Sequence, residues 1–391
     1  MKKIILLSIL VLILGVACSS VSAESSVLDS KEYKTKTSDK ISDLGTVTMM
    51  SSSFYIHNDN SPAAGEPPRP YVKSPGFTKN GGIETKKNVI KTNNVKGVNK
   101  AYTFETEYYL ILGWKNELKK WHNAQSMAMD GRYLYTMVFS KNLKTSKGFV
   151  ARYDLNVLKK YKNDLGLLRQ TGQALAYNKQ LSGKQKIIAN AIKRGPNLVV
   201  GHGQTLSYDP KTKHLWLSEY VDAKKSSTEL QTLVKINPKT LKPVEKYQFK
   251  LRLQNGQIIP PRSLLSFDKD GNFYYSLERS DYKNGLRVLK GTFNNDYSKV
   301  EVTDMGTFTH GKPGEHFQSI SINNVKNRFY LVSDSTIYSF PLAKLKSQTL
   351  TKNDFEYTVL DTKREFEGMT FDSVGKEYLL LVSGPEVLKA K

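Results

Sequence analysis

The sequence predicts an all-β fold, a five-bladed β-propeller whose blades are four-stranded antiparallel sheets. The first observation is an alternating strand–turn–strand pattern that occurs five times. The second is its spacing, because hairpin repeats of roughly 50 residues are typical of propeller blades. The copies, aligned on one polar position of the first strand, are 79, 59, 55 and 49 residues apart, and this position holds Gln125, Gln204, Ser263, Gln318 and Glu367.

Further strands are predicted after the hairpins, with third strands at 148–155, 232–241, 285–293 and 335–345 and outer strands at 245–253, 298–306 and 354–361. The fifth repeat ends at Lys391, so Glu386–Lys391 is its third strand and its fourth must come from elsewhere. The aromatic, β-prone stretch Thr103–Leu112 precedes the first repeat. We predict that it completes the last blade and closes the ring, which removes an open sheet edge.

The one long spacing, between the first two repeats, indicates an insertion on the first blade. Ile187, Ile188, Ala191 and Ile192 have the spacing of an amphipathic helix, and Gly195-Pro196 ends the segment. A helical insertion over 155–199, with lysine and arginine on its outer face, is therefore expected. It is either a lid or partner surface, or a structural addition to the blade.

The chain begins with features of an export signal over residues 1–23. Lys2 and Lys3 precede an apolar run, and the small residues at 21–23 offer a cleavage site. Cleavage before Cys18, with lipid attachment to it, is the alternative. Residues 24–100 are rich in Ser, Thr, Lys and Pro and predict a disordered linker, and 101–391 the propeller domain. We expect a secreted protein, either free or associated with the cell wall, with no transmembrane segment after signal removal.

The charge and cysteine content narrow the class of protein. Cys18 is the only cysteine, so an exported mature chain would rely on a large buried core rather than on disulfides. The net charge of +23 suits contact with polyanions such as anionic wall polymers, although it also serves solubility. Basic residues do not alternate with aromatics in a recognisable module, so specific nucleic-acid binding is not expected. We expect a monomer without a cofactor.

The repeat predicts that polar side chains meet at one mouth of the channel, because the first strand of each propeller blade lines the channel. Each blade contributes an inner member, given above, and an outer member two residues earlier. Three more candidates lie beside them, namely His122, Arg262 and Glu315. The outer members are Asn123, His202, Pro261, His316 and Glu365.

This ring allows several chemistries. All of its members except Pro261, together with His122 and Arg262, are candidate ligand-binding residues. Glu315, Glu365 and Glu367 are candidates for general acid–base catalysis if two of them flank a cleft. A metal is not expected, because Gln and Asn are weak ligands and no metal-ligand spacing is present. Alternatively, the side chains only satisfy each other's hydrogen bonds between blades.

The repeats resemble the helveticin J family of bacteriocin-like proteins over roughly residues 115–385. The likeness lies in the segments His122–Gln125 and His202–Gln204, in GKPGEHFQSISI at Gly311–Ile322, and in DKDGNFYYS from Asp268. The resemblance implies secretion and inhibition of related bacteria at the envelope. It supplies no catalytic residues.

The sequence thus predicts a secreted bacteriocin-like protein that acts at the bacterial cell surface. It would bind anionic envelope polymers or surface glycans through its charge and a ligand at the channel mouth. The alternatives are a carbohydrate-active propeller enzyme that uses the channel-mouth glutamates, and a non-catalytic cell-wall adhesion module. Whether the protein is an enzyme stays open at this point.

Overall fold

The computed structural model describes residues 40–56, 85–112, 122–140, 147–219, 229–261, 264–279, 285–309 and 311–391. Five small antiparallel sheets are arranged as the blades of a β-propeller, so the predicted fold class is confirmed. The inner strand of each blade contacts that of the next, and the fifth contacts the first. The ring of blades is therefore closed around a central channel.

Four strands precede the first repeat, and the repeats supply the rest. The early strands are β1 (Lys40–Met49), β2 (Tyr55–Ile56), β3 (Val89–Lys91) and β4 (Thr103–Tyr109). Blade 1 contains β5 (His122–Met129), β6 (Tyr133–Ser140), β7 (Lys147–Asp154), β8 (Ile192–Arg194) and β9 (Leu198–Val199). Blade 2 contains β10 (Ser207–Asp209), β11 (His214–Ser218), β12 (Leu230–Ile236), β13 (Pro243–Leu253) and β14 (Ile258–Ile259).

The last three blades follow the same order from the channel outward. Blade 3 contains β15 (Leu265–Phe267), β16 (Phe273–Arg279), β17 (Gly285–Phe293) and β18 (Val300–Phe308). Blade 4 contains β19 (Phe317–Asn323), β20 (Arg328–Ser333), β21 (Thr336–Pro341) and β22 (Glu356–Val359). Blade 5 contains β23 (Phe366–Phe371), β24 (Glu377–Leu381) and β25 (Glu386–Ala390), followed by β4 and β3.

Blade 5 is closed as predicted. Strand β4 pairs antiparallel with β25, with Phe104 opposite Ala390 and Tyr109 opposite Glu386. The backbone N–H of Lys391 also donates to the carbonyl of Thr103 at 2.9 Å. The first and last parts of the propeller thus share one sheet, which makes the ring a single cooperative unit.

The predicted linker over 24–100 does not hold for 40–56 and 85–100. Strand β1 adds in parallel to β13 and β2 adds in parallel to β18, while β3 pairs with β4. Met49 is buried in the core shared by blades 2 and 3, and Leu44 and Val47 pack against it. The outer strands otherwise present an unpaired edge, so a few apolar residues suffice to order the segment there. The signal peptide over 1–23 and the rest of the linker lie outside the described residues.

The third strand of blade 4 is shorter than the predicted 335–345. Strand β21 ends at Pro341, and the chain continues as helix Leu342–Lys346. The sequence LAKLK has high helix propensity, and Leu342 and Leu345 are buried against the blade. The helix therefore replaces the end of the predicted strand.

The insertion on blade 1 is helical, as predicted. It contains α1 (Leu155–Leu158), a 3₁₀ turn (Lys159–Tyr161), α2 (Leu167–Ala176) and α3 (Gly183–Asn190), and the helix of blade 4 is α4. Leu158, Leu168 and Ile188 join the same core cluster as Tyr108 and Leu380 of blade 5. The insertion therefore packs across the junction where the ring closes.

Arg169 of α2 connects the insertion to blade 5 at this junction. Its guanidinium is fully buried and lies 4.8 Å from the ring centre of Tyr109. Nε donates to the carbonyl of Leu110 at 3.1 Å, and Nη2 donates to the carbonyl of Pro385 at 2.7 Å. One side chain thus connects the insertion to the closing strand β4 and to the loop before β25.

Candidate functional site

Four of the five inner members of the predicted ring meet at the strand-start end of the channel. Gln125 Nε2 donates to Glu367 Oε1 at 3.1 Å, and Gln204 Nε2 donates to Gln318 Oε1 at 2.5 Å. Gln204 Nε2 also lies 3.4 Å from Glu367 Oε2. We call these four residues the amide–carboxyl cluster. Ser263, the fifth inner member, lies outside the described residues, as does its neighbour Arg262.

Three members of the cluster stand at β-bulges. The register of β5 shifts between Ala124 and Ser126, which leaves Gln125 as the extra residue. Gln318 in β19 and Glu367 in β23 occupy the same place in their own register shifts. A bulge redirects the extra side chain and is frequent beside functional sites. The repeated bulge is therefore the device that turns these side chains toward each other.

Gln204 reaches the cluster by another route. It lies in a turn before β10, next to Gly203, whose φ is +88°. A Cβ at Gly203 would lie 3.3 Å from Gln125 Cβ, so the turn packs tightly against blade 1. The hydroxyl of Ser126 donates to the carbonyl of Gly203 at 2.7 Å and holds it there. His202 and Gln204 therefore stand on a turn, whereas the alternation had indicated a strand.

Glu367 carries the unusual electrostatics of the site. Glu367 is 2% exposed and accepts hydrogen bonds from the side-chain amides of Gln125 and Gln204. Burial raises the pKa of Glu367 well above its usual value, and the charges of Glu365 and Asp334 raise it further against these amide hydrogen bonds. Within the described residues, no lysine, arginine or histidine forms an ion pair with it. A buried carboxyl without a cation favours its protonated form.

Asp334, which follows β20, is a third carboxyl of this region that the sequence analysis missed. Its Oδ1 accepts the backbone N–H of Phe366 at 3.0 Å, and its side chain is 2% exposed. Burial raises the pKa of Asp334 to about 7, and the charge of Glu365 raises it further. Hydrogen bonds from the Phe366 N–H and from the Gln318 side chain lower it. Asp334 does not belong to the aligned ring. It lies in a tight turn before Ser335, whose φ is +60°, and the repeat alignment contains no signal for it.

Glu365 connects the cluster to solvent. It is partly buried, and Ser383 Oγ donates to its Oε2 at 3.3 Å. Burial raises the pKa of Glu365, against the effects of this hydrogen bond and of the nearby His316. His316 and Glu315 are exposed, and the His316 carbonyl accepts the Asp334 N–H at 3.3 Å. Among the three glutamates predicted as catalytic candidates, only Glu365 and Glu367 share this electrostatic cluster, and Asp334 stands where Glu315 was expected.

The remaining candidates lie around the mouth. His202 is exposed and stacks on Phe139 at a centroid distance of 5.7 Å, and desolvation on its protein side lowers its pKa. Asn123 is partly buried and stands opposite Phe139 across β5 and β6. His122 begins β5, and Pro261 is buried before blade 3. Of the outer members, His202 and His316 are thus exposed, whereas the inner members Gln125, Gln318 and Glu367 are buried.

A layer of apolar side chains closes the channel below the cluster. It is formed by the residues two positions after the inner members, one from each blade. These side chains also line a cavity of about 200 Å³ toward the hairpin turns at the opposite end. They remove water from the lower side of the cluster, which explains the desolvation of Glu367. The layer consists of Met127, Leu206, Leu265, Ile320 and Met369, all of them buried.

The donor set fits an organic ligand better than a metal ion. Within the described residues, no three His, Cys, Asp or Glu side chains lie close enough together to hold a metal. Gln125 Oε1 is a buried acceptor with no hydrogen-bond donor among the described residues. Acceptors of this kind are costly unless a donor reaches them. The cluster is therefore richer in oxygen acceptors than in metal ligands.

Comparison with known proteins gives no family and only distant structural likenesses. No protein-family profile and no curated protein matches the chain. Solved structures that resemble it include a glucose dehydrogenase (11% identity, TM-score 0.35, covering 81% of this chain and 99% of that one). A calcium structure of a Trichoderma reesei family AA12 carbohydrate-active enzyme has 10% identity and a TM-score of 0.35, covering 85% and 99%. A GH43 endo-arabinanase from Bacillus licheniformis has 10% identity and a TM-score of 0.27, covering 84% and 99%.

Because their TM-scores are all below 0.5, these structural likenesses carry no argument about fold or activity. The predicted helveticin J likeness is not tested by any of these matches. In the part of the chain that is described, no helix is long and apolar enough to cross a membrane.

Proposed function

We propose that this protein is a surface-acting binding protein, similar in role to helveticin J, that holds a cationic, donor-rich group of an envelope ligand at the amide–carboxyl cluster. The net charge of +23 would bring the protein to anionic envelope polymers. The cluster has the opposite character, because carboxyl and amide oxygens dominate it. A polymer that carries both anionic groups and ammonium groups would satisfy both surfaces.

The observation that carries this proposal is the buried carboxyl of Glu367. Its hydrogen-bond donors among the described residues are the neutral side-chain amides of Gln125 and Gln204. Two further carboxyls with raised pKa values, Glu365 and Asp334, lie in its electrostatic range. An ammonium group at the partly buried side of the cluster would compensate this negative charge, and its N–H groups would donate charge-assisted hydrogen bonds to carboxyl and amide oxygens there. Glu365 and Gln204 are only partly buried and give the ligand access.

The test is calorimetric titration of the purified protein with ethanolamine and with its uncharged analogue ethylene glycol. We expect ethanolamine to bind more tightly at pH 8 than at pH 5, because Asp334, whose pKa is raised to about 7, ionises over this range. Glu367→Gln should weaken binding about tenfold or more, since a neutral amide removes the charge that attracts the cation. The exposed Glu301→Gln on β18 is the matched control and should bind as the wild type does.

Two results would contradict the proposal. One is ethanolamine binding that survives Glu367→Gln unchanged. The other is equal binding of ethylene glycol and ethanolamine, which would show that the site recognises hydroxyl groups rather than charge.

A second candidate function is hydrolysis of an envelope glycan. It is favoured by the pKa of about 7 at Asp334, because a carboxyl that titrates near neutral pH can serve as a general acid or base. Glu365 or Glu367 would act as the partner carboxylate, as in glycosidases. The sequence analysis had assigned these roles to glutamates alone.

Release of reducing sugars from purified cell walls separates the two functions. If the protein is a hydrolase, release should fall by roughly a hundredfold or more in Asp334→Asn and in Glu367→Gln, and should persist in Glu301→Gln. Wall binding without any sugar release leaves the binding function and removes the enzymatic one.

A further inference from the structure

The helical insertion on blade 1 carries charge of almost one sign. Residues 155–194 contain nine lysines and arginines and a single acid, Asp164. Arg169 and Arg194 are buried, and Lys193 is partly buried. The six other cations are exposed lysines, which we call the insertion lysines. They are Lys159, Lys160, Lys162, Lys179, Lys184 and Lys186.

The insertion lysines differ from the lysines of the blades in their partners. Many blade lysines pair with acids, such as Lys246 with Glu219 at 2.6 Å and Lys312 with Glu278 at 2.7 Å. Within the described residues, none of the insertion lysines forms an ion pair. Six unneutralised charges of one sign on about 30 residues repel each other, so their concentration suits an external anionic partner.

Two exposed apolar side chains accompany these charges. Ile187 is 48% exposed on α3, and Tyr177 at the end of α2 is 60% exposed. Ile187 stands three residues after Lys184 and is therefore its neighbour on the helix surface. Lys179 Nζ lies 5.8 Å from the ring centre of Tyr177. Apolar side chains set among lysines are typical of helices that lie at the boundary of an anionic bilayer.

We propose that the outer face of the helical insertion docks on the surface of an anionic lipid bilayer. The lysines would contact phosphate groups, and Ile187 and Tyr177 would enter the boundary between headgroups and acyl chains. A soluble polyanion would satisfy the lysines but would leave these two apolar side chains in water, which is why a bilayer is the favoured partner.

The place of the insertion in the fold suits this role. Its buried face is fixed to the ring closure by Arg169 and the Leu158 cluster, so the outer face is rigid. Helix α1 begins beside the hairpin turn of blade 1, where the Leu155 N–H donates to the Arg132 carbonyl at 3.0 Å. Arg169 of α2, in contrast, contacts the loop before β25 at the strand-start end of blade 5, so the insertion extends along the outer side of the ring between its two ends.

Co-sedimentation with lipid vesicles tests the docking. The purified protein should bind vesicles of phosphatidylcholine mixed with phosphatidylglycerol and should not bind phosphatidylcholine alone. Lys184→Glu/Lys186→Glu should weaken this binding about tenfold or more, because each basic residue near an anionic surface contributes measurably. Lys269→Glu/Lys299→Glu, an equal charge change at exposed lysines of blade 3, is the matched control and should bind nearly as the wild type does.

A second pair of variants separates lipid from polymer. Ile187→Ser/Tyr177→Ser keeps every lysine and should lower vesicle binding about threefold or more, while binding to soluble polyphosphate stays unchanged. Vesicle binding that falls equally in both lysine pairs would overturn the proposal, since net charge alone would then explain it. Polyphosphate binding without vesicle binding would also overturn it, in favour of a soluble polyanion.

The docking concerns the envelope role of the proposed function but involves a different face of the molecule. The vesicle assay contains no ligand of the amide–carboxyl cluster, and the ethanolamine titration contains no lipid. Failure of one therefore leaves the other intact.

Discussion

Arg169→Ala is expected to lower the free energy of unfolding by about 3–5 kcal/mol, the largest single-residue effect we anticipate in this protein. The substitution removes the Arg169 donor to the buried carbonyl of Leu110. The carbonyl of Pro385 loses one of two donors and still accepts the Leu110 N–H at 3.0 Å. The substitution also opens a void beside Tyr109, over which the guanidinium lies. A buried carbonyl that loses its donor costs about 1–3 kcal/mol, and the void adds to this.

Arg132→Ala is the matched control. Arg132 also lies over a tyrosine, at 4.9 Å from the ring centre of Tyr133, and also forms a polar contact, to Asp154 Oδ2 at 2.7 Å. Its side chain is 57% exposed, so solvent replaces these contacts and the expected loss is about 1 kcal/mol or less. Urea unfolding followed by tryptophan fluorescence measures both. Equal losses in the two variants would show that Arg169 does not fasten the ring closure.

The position of Arg169 explains why a prediction from sequence alone stops short of this residue. The amphipathic spacing around Ile187 and Ile188 indicates a helical insertion, and the closing strand at Thr103–Leu112 follows from the missing strand of the fifth repeat. Neither pattern shows that the insertion packs on the closing strand. That contact depends on the angle at which α2 crosses β4, which a one-dimensional pattern does not contain.

At the candidate site too, the sequence pattern predicts some features and not others. Alignment of the repeats places Gln125, Gln204, Gln318 and Glu367 in one ring, because equal positions in propeller strands lie at equal heights along the channel. The β-bulges that turn three of these side chains inward leave no mark on the apolar alternation. Asp334 is not predicted from the sequence for a different reason. It belongs to a turn after the second strand and has no counterpart in the alignment.

The strands before the first repeat show that average composition does not predict local order in this protein. Averaged over 24–100, the chain is too polar for a core, and disorder is the natural prediction. Yet β1 needs only Leu44, Val47 and Met49 to add to the edge of blade 2, because the blade already supplies the sheet and the core. Local order thus depends on a partner edge that lies some 200 residues away in sequence, as the pairing of Lys40 with Glu245 shows.

The stability of the protein is expected to fall as the pH rises from about 5 to about 8, and Asp334→Asn is expected to remove much of this dependence. The pKa of Asp334 is raised from 3.8 to about 7 in the folded protein. The folded state therefore binds this proton more tightly than the unfolded chain does. Its contribution to stability is fully present below the unfolded pKa and is lost as the pH rises through the folded pKa.

The size of the effect follows from the shift. A carboxyl with these two pKa values contributes about 2–3 kcal/mol more to the free energy of unfolding at pH 5 than at pH 8. Glu367, whose pKa is also raised well above its usual value, loses its contribution in the same direction. Because Asp334, Glu365 and Glu367 influence each other, their protons leave in shared steps, and the measured slope belongs to the group.

Other titrating groups act differently over this pH range. The carboxyls with lowered pKa values, such as Asp154, Asp268 and Asp354, are ionised throughout it and add little slope. His202 has a lowered pKa, so its contribution to stability grows as the pH rises through its unfolded value, against the trend of the carboxyls. Comparison of Asp334→Asn with the wild type at each pH cancels these shared terms.

Urea unfolding of both proteins at several pH values between about 5 and 8 provides the measurement. Asparagine keeps an oxygen for the Phe366 N–H and has nearly the same volume, so the variant should fold. Its stability should approach or exceed that of the wild type at pH 8, where the wild-type carboxyl is buried and charged. A wild-type stability that rises steadily from pH 5 to pH 8, with a parallel curve for Asp334→Asn, would show that Asp334 ionises normally. The same proton equilibrium governs the proposed ligand site, because ionisation of these carboxyls makes the folded protein less stable and better able to bind a cation.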